Sequence, residues 1–149
     1  MAMHLLPLLG KSLKDDDIID ILDHMEMDVI YDFDRLHEGQ PDKYWAAAQE
    51  AGIQLRFDEA QTLDTIFLYI TSDEGFAACS QRDSDVPVFT TVVEAQAFGE
   101  AQHLQVSKGS ADFLGVSRDW IRLGFGAHSV HYEFRTGSLA RVTVSRNEH

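Results

Sequence analysis

Residues 52–57 read GIQLRF, residues 129–134 read SVHYEF, and the similarity of these two stretches decides the predicted fold. Apolar and polar residues alternate in both, which is the period of a β-strand with one buried face. Each stretch is followed by a short polar turn and a second apolar run, LDTIFLYI at 63–70 and LARVTV at 139–144. Both regions therefore predict an antiparallel hairpin.

A third strand is predicted in front of each hairpin. WIRLGF at 120–125 precedes the second hairpin, and YWAAAQ at 44–49 holds the corresponding place before the first. The alanines within residues 43–48 favour a helix by propensity, whereas the position of the segment favours a strand, so both assignments stay open with the strand preferred. Gly137 fits a tight turn in the last hairpin.

Two helices are predicted, one before each group of strands. Ser12 and Asp15 have the spacing of a capping box, so the first helix is expected to begin after Ser12. Its apolar face would consist of Ile18, Ile21, Leu22 and Met25. Thr91 and Glu94 form a second capping box. The apolar face expected there consists of Val93, Ala97, Ala101 and Leu104, although Gly99 weakens the prediction of a helix.

Together these patterns predict an α+β fold in a single domain, residues 1–149, with tandem units at about residues 8–75 and 87–146. Each unit is a helix followed by a three-stranded meander. We expect both units to build one antiparallel sheet with the helices on one face. The segments expected to be irregular are residues 28–42, 71–90 and 106–119. Two amphipathic meanders also look alike by necessity, so a chance similarity remains the alternative to a duplication.

The other face of the sheet is expected to be open and, because strands twist and coil, concave. The side chains that alternate with the core set would line it: Gln54, Arg56, His131, Glu133, Arg141 and Thr143. Such an open face is a natural docking surface for a partner.

The charge of the chain is strongly negative and unevenly distributed. The formal net charge is −13, and residues 1–75 carry 17 acidic against 5 basic side chains. The densest acidic segment holds the aspartates predicted to contact a partner: Asp15, Asp16, Asp17, Asp20, Asp23, Asp28, Asp32 and Asp34. Such a surface repels nucleic acid and anionic membranes and attracts a basic protein. Solubility alone also favours a net charge away from zero, and this alternative stays open.

Sequence motifs for catalysis or metal binding are absent. The chain contains no HExxH, Cys/His cluster, EF-hand loop, GxSxG or phosphate-binding glycine loop. His128 and His131 are three apart on a predicted strand, so they point to opposite faces and make a poor chelating pair. Cys79 is expected to be a buried or incidental thiol. We therefore expect no cofactor, no metal and no enzymatic activity, with an enzyme assembled from distant residues as an alternative.

The expected location is the cytoplasm. A single cysteine cannot form an internal disulfide and suits a reducing compartment. The short apolar patch near the N-terminus lacks a basic region before it and is interrupted by Pro7 and Gly10, so we expect no signal peptide. No later apolar run approaches the length of a membrane span.

Three stretches carry a resemblance to known proteins: LLGKSL at 8–13, AGIQLRFDEAQTLDTIFLYI at 51–70 and DWIRLGFGAHSVHYEFRTGSLARVTV at 119–144. The tandem helix-plus-meander arrangement resembles the architecture of the β-lactamase inhibitor protein. Its general style also resembles bacterial immunity proteins, which neutralise toxins delivered by type VI or contact-dependent secretion. The resemblance implies a cytoplasmic inhibitor, expected to be monomeric, that binds one cognate toxin. It carries over no individual binding residue.

The acidic charge points to a basic toxin domain, with a DNase as the first candidate, because nucleases carry basic clefts for phosphate. Inhibition would then block or distort the active site of the toxin. The alternatives are an inhibitor of a non-nuclease toxin that uses the open face, and a small-ligand-binding module.

Overall fold

The computed structural model of the chain describes residues 4–33, 39, 41–72, 75–79 and 84–147, except for the side chain of Phe113. The regular structure of these residues consists of two α-helices, eight β-strands and two short 3-10 turns. The helices are α1 (Asp16–His24) and α2 (Val92–Ala101), and the 3-10 turns are Leu6–Leu8 and Gln49–Ala51. The strands are β1 (Val29–Asp32), β2 (Lys43–Ala48), β3 (Ile53–Phe57), β4 (Leu63–Tyr69), β5 (Gln105–Phe113), β6 (Val116–Gly124), β7 (His128–Arg135) and β8 (Ser138–Arg146).

The strands form one antiparallel sheet in the order β1-β2-β3-β4-β8-β7-β6-β5. The first four strands run as one meander and the last four run as another, and β4 pairs with β8 where the two meet. β1 and β5 are thus the two edges of the sheet. The predicted α+β class and the single antiparallel sheet are confirmed.

The alternating apolar residues of GIQLRF and SVHYEF lie at the centre of the core. The fully buried side chains of these two strands are Ile53, Leu55, Phe57, Val130, Tyr132 and Phe134. Tyr132 also carries a hydroxyl into the core, and this group donates a hydrogen bond of 2.8 Å to the carbonyl of Pro87. The buried phenol is therefore satisfied, and burial raises its pKa.

Each helix is followed by four strands, where three were predicted. The additional strands are β1, which lies within residues 28–42, and β5, which overlaps residues 106–119; both segments were expected to be irregular. Side chains on both strands are mostly exposed, so neither shows the alternation that marks a half-buried strand. The turn between β5 and β6 was also missed. Leu114 and Gly115 form it with φ angles of 50° and 78°, values that suit a tight hairpin turn.

Residues 43–48 form a strand, as their position in the sequence favoured. They pair with all of β3 from Tyr44 opposite Phe57 to Ala48 opposite Ile53. Backbone pairing on both sides, to β1 and β3, outweighs the helix propensity of the three alanines. The turn at Gly137 is likewise confirmed, since Thr136 and Gly137 have φ angles of 52° and 80°.

The N-terminal cap of α1 is Asp15, and the prediction that Ser12 caps this helix is wrong. The Asp15 carboxylate accepts a hydrogen bond of 2.9 Å from the backbone N–H of Asp17. Ser12 instead forms an antiparallel bridge with Thr62, and this pairing fixes the backbone before the helix begins. The predicted apolar face is confirmed, because Ile18 is fully buried and its apolar partners on the helix are half-buried.

The cap of α2 is confirmed. The Thr91 hydroxyl oxygen accepts a hydrogen bond of 3.1 Å from the backbone N–H of Glu94. The Glu94 carboxylate reaches back and accepts one of 3.1 Å from the backbone N–H of Thr90. Two backbone donors at the helix start are therefore satisfied reciprocally, as in a capping box.

The predicted apolar face of α2 is wrong. Val93 is 77% exposed, and Ala95 and Gly99 are buried instead. A Cβ added to Gly99 would lie 2.7 Å from Val106 Cγ2 and 2.8 Å from Leu123 Cδ2. The helix thus approaches β5 and β6 so closely that small residues form its buried side. Gly99, which weakened the prediction of a helix, is the residue that allows the helix to pack.

Candidate partner-binding surfaces

The predicted partner-binding aspartates that the structure describes lie on or next to α1 and the edge strand β1. The exposed ones are Asp16, Asp17, Asp20, Asp23, Asp28 and Asp32. Asp15 is half-buried, since its carboxylate caps α1, and Asp34 lies outside the described residues.

Most of these carboxylates have no cationic partner among the residues that the structure describes. In the part of the chain that the structure describes, Asp17 has an ion pair, with Lys11 Nζ. The hydrogen bond to Asp17 raises the pKa of Lys11. The other five exposed aspartates have no ion pair with a described residue. They therefore produce an uncompensated negative potential on this side of the chain.

β1 combines this negative potential with exposed apolar side chains. The exposed fraction is 41% for Val29, 64% for Ile30 and 48% for Tyr31, and it is 49% for Phe33 just after the strand. Edge strands are usually protected by lysine, proline or a bulge. None of these is present in Val29–Asp32, so β1 presents an exposed apolar edge, and the described residues place no further strand beside it.

Contacts with β2 hold this edge in place. The Tyr31 ring stacks on Tyr44, with ring centroids 4.9 Å apart. The Tyr31 hydroxyl donates a hydrogen bond of 2.6 Å to Asp42 Oδ2, which raises the pKa of Tyr31 to about 12. β1 is thus anchored to the sheet along one side while its side chains stay exposed.

A cleft of about 750 Å³ lies beside β1, where α1 leads into the strand. Its apolar wall includes Ile30, Trp45 and Phe76, and its carboxylates are those of Glu26, Asp28 and Glu50. The Trp45 ring stacks on Phe67, with ring centroids 6.0 Å apart. An aromatic wall with an acidic rim suits the apolar stem and charged head of a lysine or arginine from a partner.

The residues predicted to line the open face do share one face of the sheet. The strand register places Gln54, Arg56, His131, Glu133, Arg141 and Thr143 on the side opposite to the core positions. All six side chains are half-buried. One corner is covered, because the Phe76 ring stacks on Tyr69 with centroids 4.3 Å apart.

Charged side chains on the open face largely neutralise one another. Arg56 Nε lies 3.0 Å from Asp64 Oδ1. Glu133 accepts a hydrogen bond of 2.9 Å from Arg135 Nη2 and lies 3.9 Å from Arg141 Nη2. This pairing distinguishes the open face from the acidic surface of α1 and β1.

His131 is packed on the open face. Its ring stacks on Trp120 with centroids 5.5 Å apart. Burial lowers the pKa of His131, although Glu133 acts in the opposite direction. The ring is therefore largely neutral near pH 7. His128 stacks on Phe125 instead, so the two histidines have different neighbours, as alternation along β7 predicts.

Cys79 is buried, as expected. Among the residues that the structure describes, no group of three or more His, Cys, Asp and Glu side chains could hold a metal ion. In the same part of the chain, no helix is long and apolar enough to cross a membrane.

Comparison of the chain with protein families, with curated proteins and with solved structures finds no match in any of the three. The candidate surfaces are therefore argued from their own geometry and charge.

Sequence reasoning identified the acidic segment but missed the apolar edge inside it. The stretch Val29–Phe33 is rich in β-branched and aromatic residues, and this composition is the signal that could have indicated a strand. It also missed Arg118 and Arg135, which lie opposite each other in the register of β6 and β7 on the open face. Their alternation with core residues of the same strands carries that information.

Proposed function

We propose that this protein is a bacterial immunity protein that binds and inhibits a cognate secreted toxin through a basic domain of that toxin. A DNase delivered by type VI or contact-dependent secretion is the first candidate, and the inhibitor would act in the cytoplasm. The observation that carries the proposal is the surface of α1 and β1, where exposed carboxylates without ion pairs among the described residues adjoin an apolar edge.

The carboxylates would raise the association rate with the toxin and select a basic partner. A field of one sign steers an oppositely charged partner and raises the association rate, with a strong dependence on salt. The same field disfavours anionic competitors such as nucleic acid. A basic cleft that binds phosphate would accept carboxylates in its place, so the inhibitor could block access to the active site of the toxin.

The apolar edge would supply most of the binding affinity for the toxin. Charged contacts at a solvated rim add little net affinity, whereas buried apolar and aromatic side chains dominate the energetics of most interfaces. Ile30, Tyr31 and Phe33 are exposed large apolar residues beside the acids. Covering them with a partner would remove their apolar surface from water.

We also infer that the two meanders are copies of one unit, with both helices on the core face of the sheet. α1 precedes β1–β4 and α2 precedes β5–β8, and the third strands of the two meanders carry matching buried triplets. Ile18 of α1 lies in the same buried cluster as Leu55. Superposition of residues 16–69 on residues 92–144 tests this inference, which fails if equivalent strands do not align.

The function is tested by capture and inhibition. The full-length protein is used as bait in lysate from its source bacterium, partners are eluted with a salt gradient, and the activity of any captured domain is assayed with and without the protein. We expect one basic toxin domain, released at high salt and inhibited at equal molar amounts. Capture of no basic partner, or of a partner whose activity is unchanged, would contradict the proposal.

A matched pair of variants tests the surface. Asp16→Lys, Asp20→Lys and Asp23→Lys together should slow association by about tenfold or more, since rim charges act mainly on the association rate. The control reverses exposed acids elsewhere, with Glu59→Lys, Glu100→Lys and Asp112→Lys. Both triple variants change the net charge equally, so equal effects would show that overall charge, and not the α1 surface, guides binding.

A second candidate is binding through the open face, as for an inhibitor of a non-nuclease toxin. The observation that favours it is the pair of half-buried aromatic rings on that face outside the cleft, Phe67 and Trp120, because Trp and other aromatic residues are enriched at interface hot spots. The substitution Trp120→Ala would then lower affinity more than the α1 charge reversals do.

A further inference from the structure

We propose that β1 docks a β-strand of the basic partner, which would extend the sheet beyond its edge. This inference rests on the proposed function and adds to it the structure and residue pattern of the partner segment. It is carried by the exposed apolar edge strand, and the charges beside that strand select the occupant.

Among the described residues, β1 has a paired strand on one side only, so its other side is available for pairing. It occupies the end of the sheet order and pairs along its whole length with β2, from Val29 opposite Ala46 to Asp32 opposite Lys43. An antiparallel strand uses its backbone N–H and C=O groups on alternating sides, so a strand at the edge presents the remaining groups outward. A partner strand could therefore add main-chain hydrogen bonds to β1.

The side chains of β1 specify a pattern. Ile30 and Asp32 lie on the same face of the strand, and Asp28 lines the cleft together with Ile30. This face thus reads acid, apolar, acid at alternate positions. Cross-strand neighbours of opposite charge are favourable, so the complementary strand carries cation, apolar, cation at alternate positions.

The cleft explains where one of these cations would go. Opposite Asp28, a lysine or arginine would reach the carboxylates of Glu26 and Glu50 and the exposed part of the Trp45 ring. Two further carboxylates and an aromatic face favour a cation over a neutral side chain at this position. Asp32 already has Lys43 opposite it on the inner side, so the stronger preference for a cation is expected at Asp28.

A second copy of this chain fits the edge poorly. Antiparallel pairing that set Ile30 on Ile30 would place Asp28 of one copy opposite Asp32 of the other. Like charges directly opposite destabilise a strand pair, and each copy carries a formal net charge of −13. Charge complementarity therefore selects a basic strand and disfavours self-pairing at neutral pH.

The test uses the full-length chain, labelled with ¹⁵N, and a synthetic peptide as the probe. The probe carries Lys, Val and Lys at alternate positions, with Thr at the positions between them. It therefore presents cation, apolar, cation on one face, which complements β1. We expect saturable shifts of backbone amide signals at residues 28–33 and 43–46. A peptide with Glu in place of Lys should bind at least about tenfold more weakly, because it reverses both cross-strand charge pairs.

Two controls separate strand pairing from simple charge attraction. N-methylation of alternate amides on the pairing edge of the peptide keeps its charge but removes main-chain donors, so it should abolish the shifts. Ile30→Lys should also abolish them, whereas Ser110→Lys on β5 adds the same charge at the other edge and should leave them unchanged. Unaltered amide signals elsewhere in each variant show that the fold is intact.

Shifts confined to α1 or to the open face, or binding insensitive to N-methylation, would overturn the inference. The outcome is separable from that of the proposed function. If the Ile30→Lys variant binds the captured toxin as tightly as the wild-type protein does, docking at β1 is refuted and the proposed inhibition is not. A peptide that docks at β1 when no basic toxin is captured would leave the docking mode standing alone.

Discussion

The two edges of the sheet differ in how they meet water. β5 is long and polar, its Lys108 ammonium donates a hydrogen bond of 2.8 Å to Gln96 Oε1 on α2, and Gly99 lets that helix pack closely against it. β1 is short and apolar, and its side chains are exposed along its whole length. Solvated polar groups and a packed helix protect the β5 edge, whereas no described residue covers the β1 edge.

This difference between the two edge strands bears on their roles in strand pairing. Protected edges prevent unwanted pairing between molecules, and β5 fits that role. An exposed apolar edge would favour unwanted pairing unless a partner covers it, and the aspartates beside β1 would restrict which partners can approach. Under the proposed function, β5 therefore serves the structure of the sheet and β1 serves recognition.

The largest expected effect is on the free energy of unfolding, and it compares a core residue with a residue of β1. Leu55→Ala in the core should lower the free energy of unfolding by about 2–5 kcal/mol, through lost apolar contact and a cavity. Ile30→Ala on β1 should change it by no more than about 0.5 kcal/mol, because that side chain is mostly exposed. Urea unfolding of both variants measures the contrast. A loss at Ile30 as large as that at Leu55 would show that β1 serves the fold.

The next effect tests how α2 secures β5. Gly99→Val would force side-chain atoms against Val106 and Leu123, so we expect a loss of about 1–3 kcal/mol in the free energy of unfolding. Val93→Ala, on the exposed side of the same helix, is the control and should be nearly neutral. Thermal and urea unfolding report both. A neutral result at Gly99 would mean that the helix does not pack as described.

A smaller effect concerns self-association near the isoelectric point of about 4.7. As the net charge approaches zero, repulsion between copies weakens and the apolar edge β1 should pair with itself. Light scattering should therefore rise as pH approaches this value, and Ile30→Lys should suppress the rise. Ser110→Lys on β5 is the control with the same charge change. Equal suppression by both variants would contradict a special role for β1.

The smallest expected effect lies on the open face, where the pKa of His131 is lowered by burial. Below its ordinary value of 6.5, the unfolded chain binds the proton more readily than the folded chain does. The free energy of unfolding should therefore fall as pH drops from 6.5 toward the folded pKa. His131→Gln should flatten this slope in urea titrations at several pH values. An unchanged slope would show that His131 does not sense the pH.

The central strands of the sheet could be predicted because burial of one face makes apolar and polar residues alternate in the sequence. Ile53, Leu55 and Phe57 alternate with polar residues since one side of β3 faces the core. The cap at Thr91 follows from the same local logic, because its partner Glu94 is close in sequence.

The edges and the face of α2 could not be predicted in this way. Neither β1 nor β5 buries one side regularly, so neither shows a strand period. In α2, the larger Val93 faces water while Gly99 faces the sheet, because the distance between helix and sheet decides which residue fits. That distance depends on the tertiary packing and is not encoded in a local pattern.

The candidate site was predictable in its charge and not in its shape. Aspartates can be counted in the sequence, and six of the seven predicted ones that the structure describes are exposed. Their association with an apolar edge depends on β1 being the last strand in the sheet order. The cleft beside it likewise joins residues from α1, β2 and the 75–79 segment, which only the fold brings together.

Hydrogen–deuterium exchange of the full-length protein, with and without its captured basic partner, tests directly whether the partner binds at β1. We expect binding to slow exchange at residues 29–33 and to leave exchange at residues 105–113 unchanged. Slower exchange at β5 or along the open face, with β1 unaffected, would contradict the assignment of recognition to the acidic apolar edge.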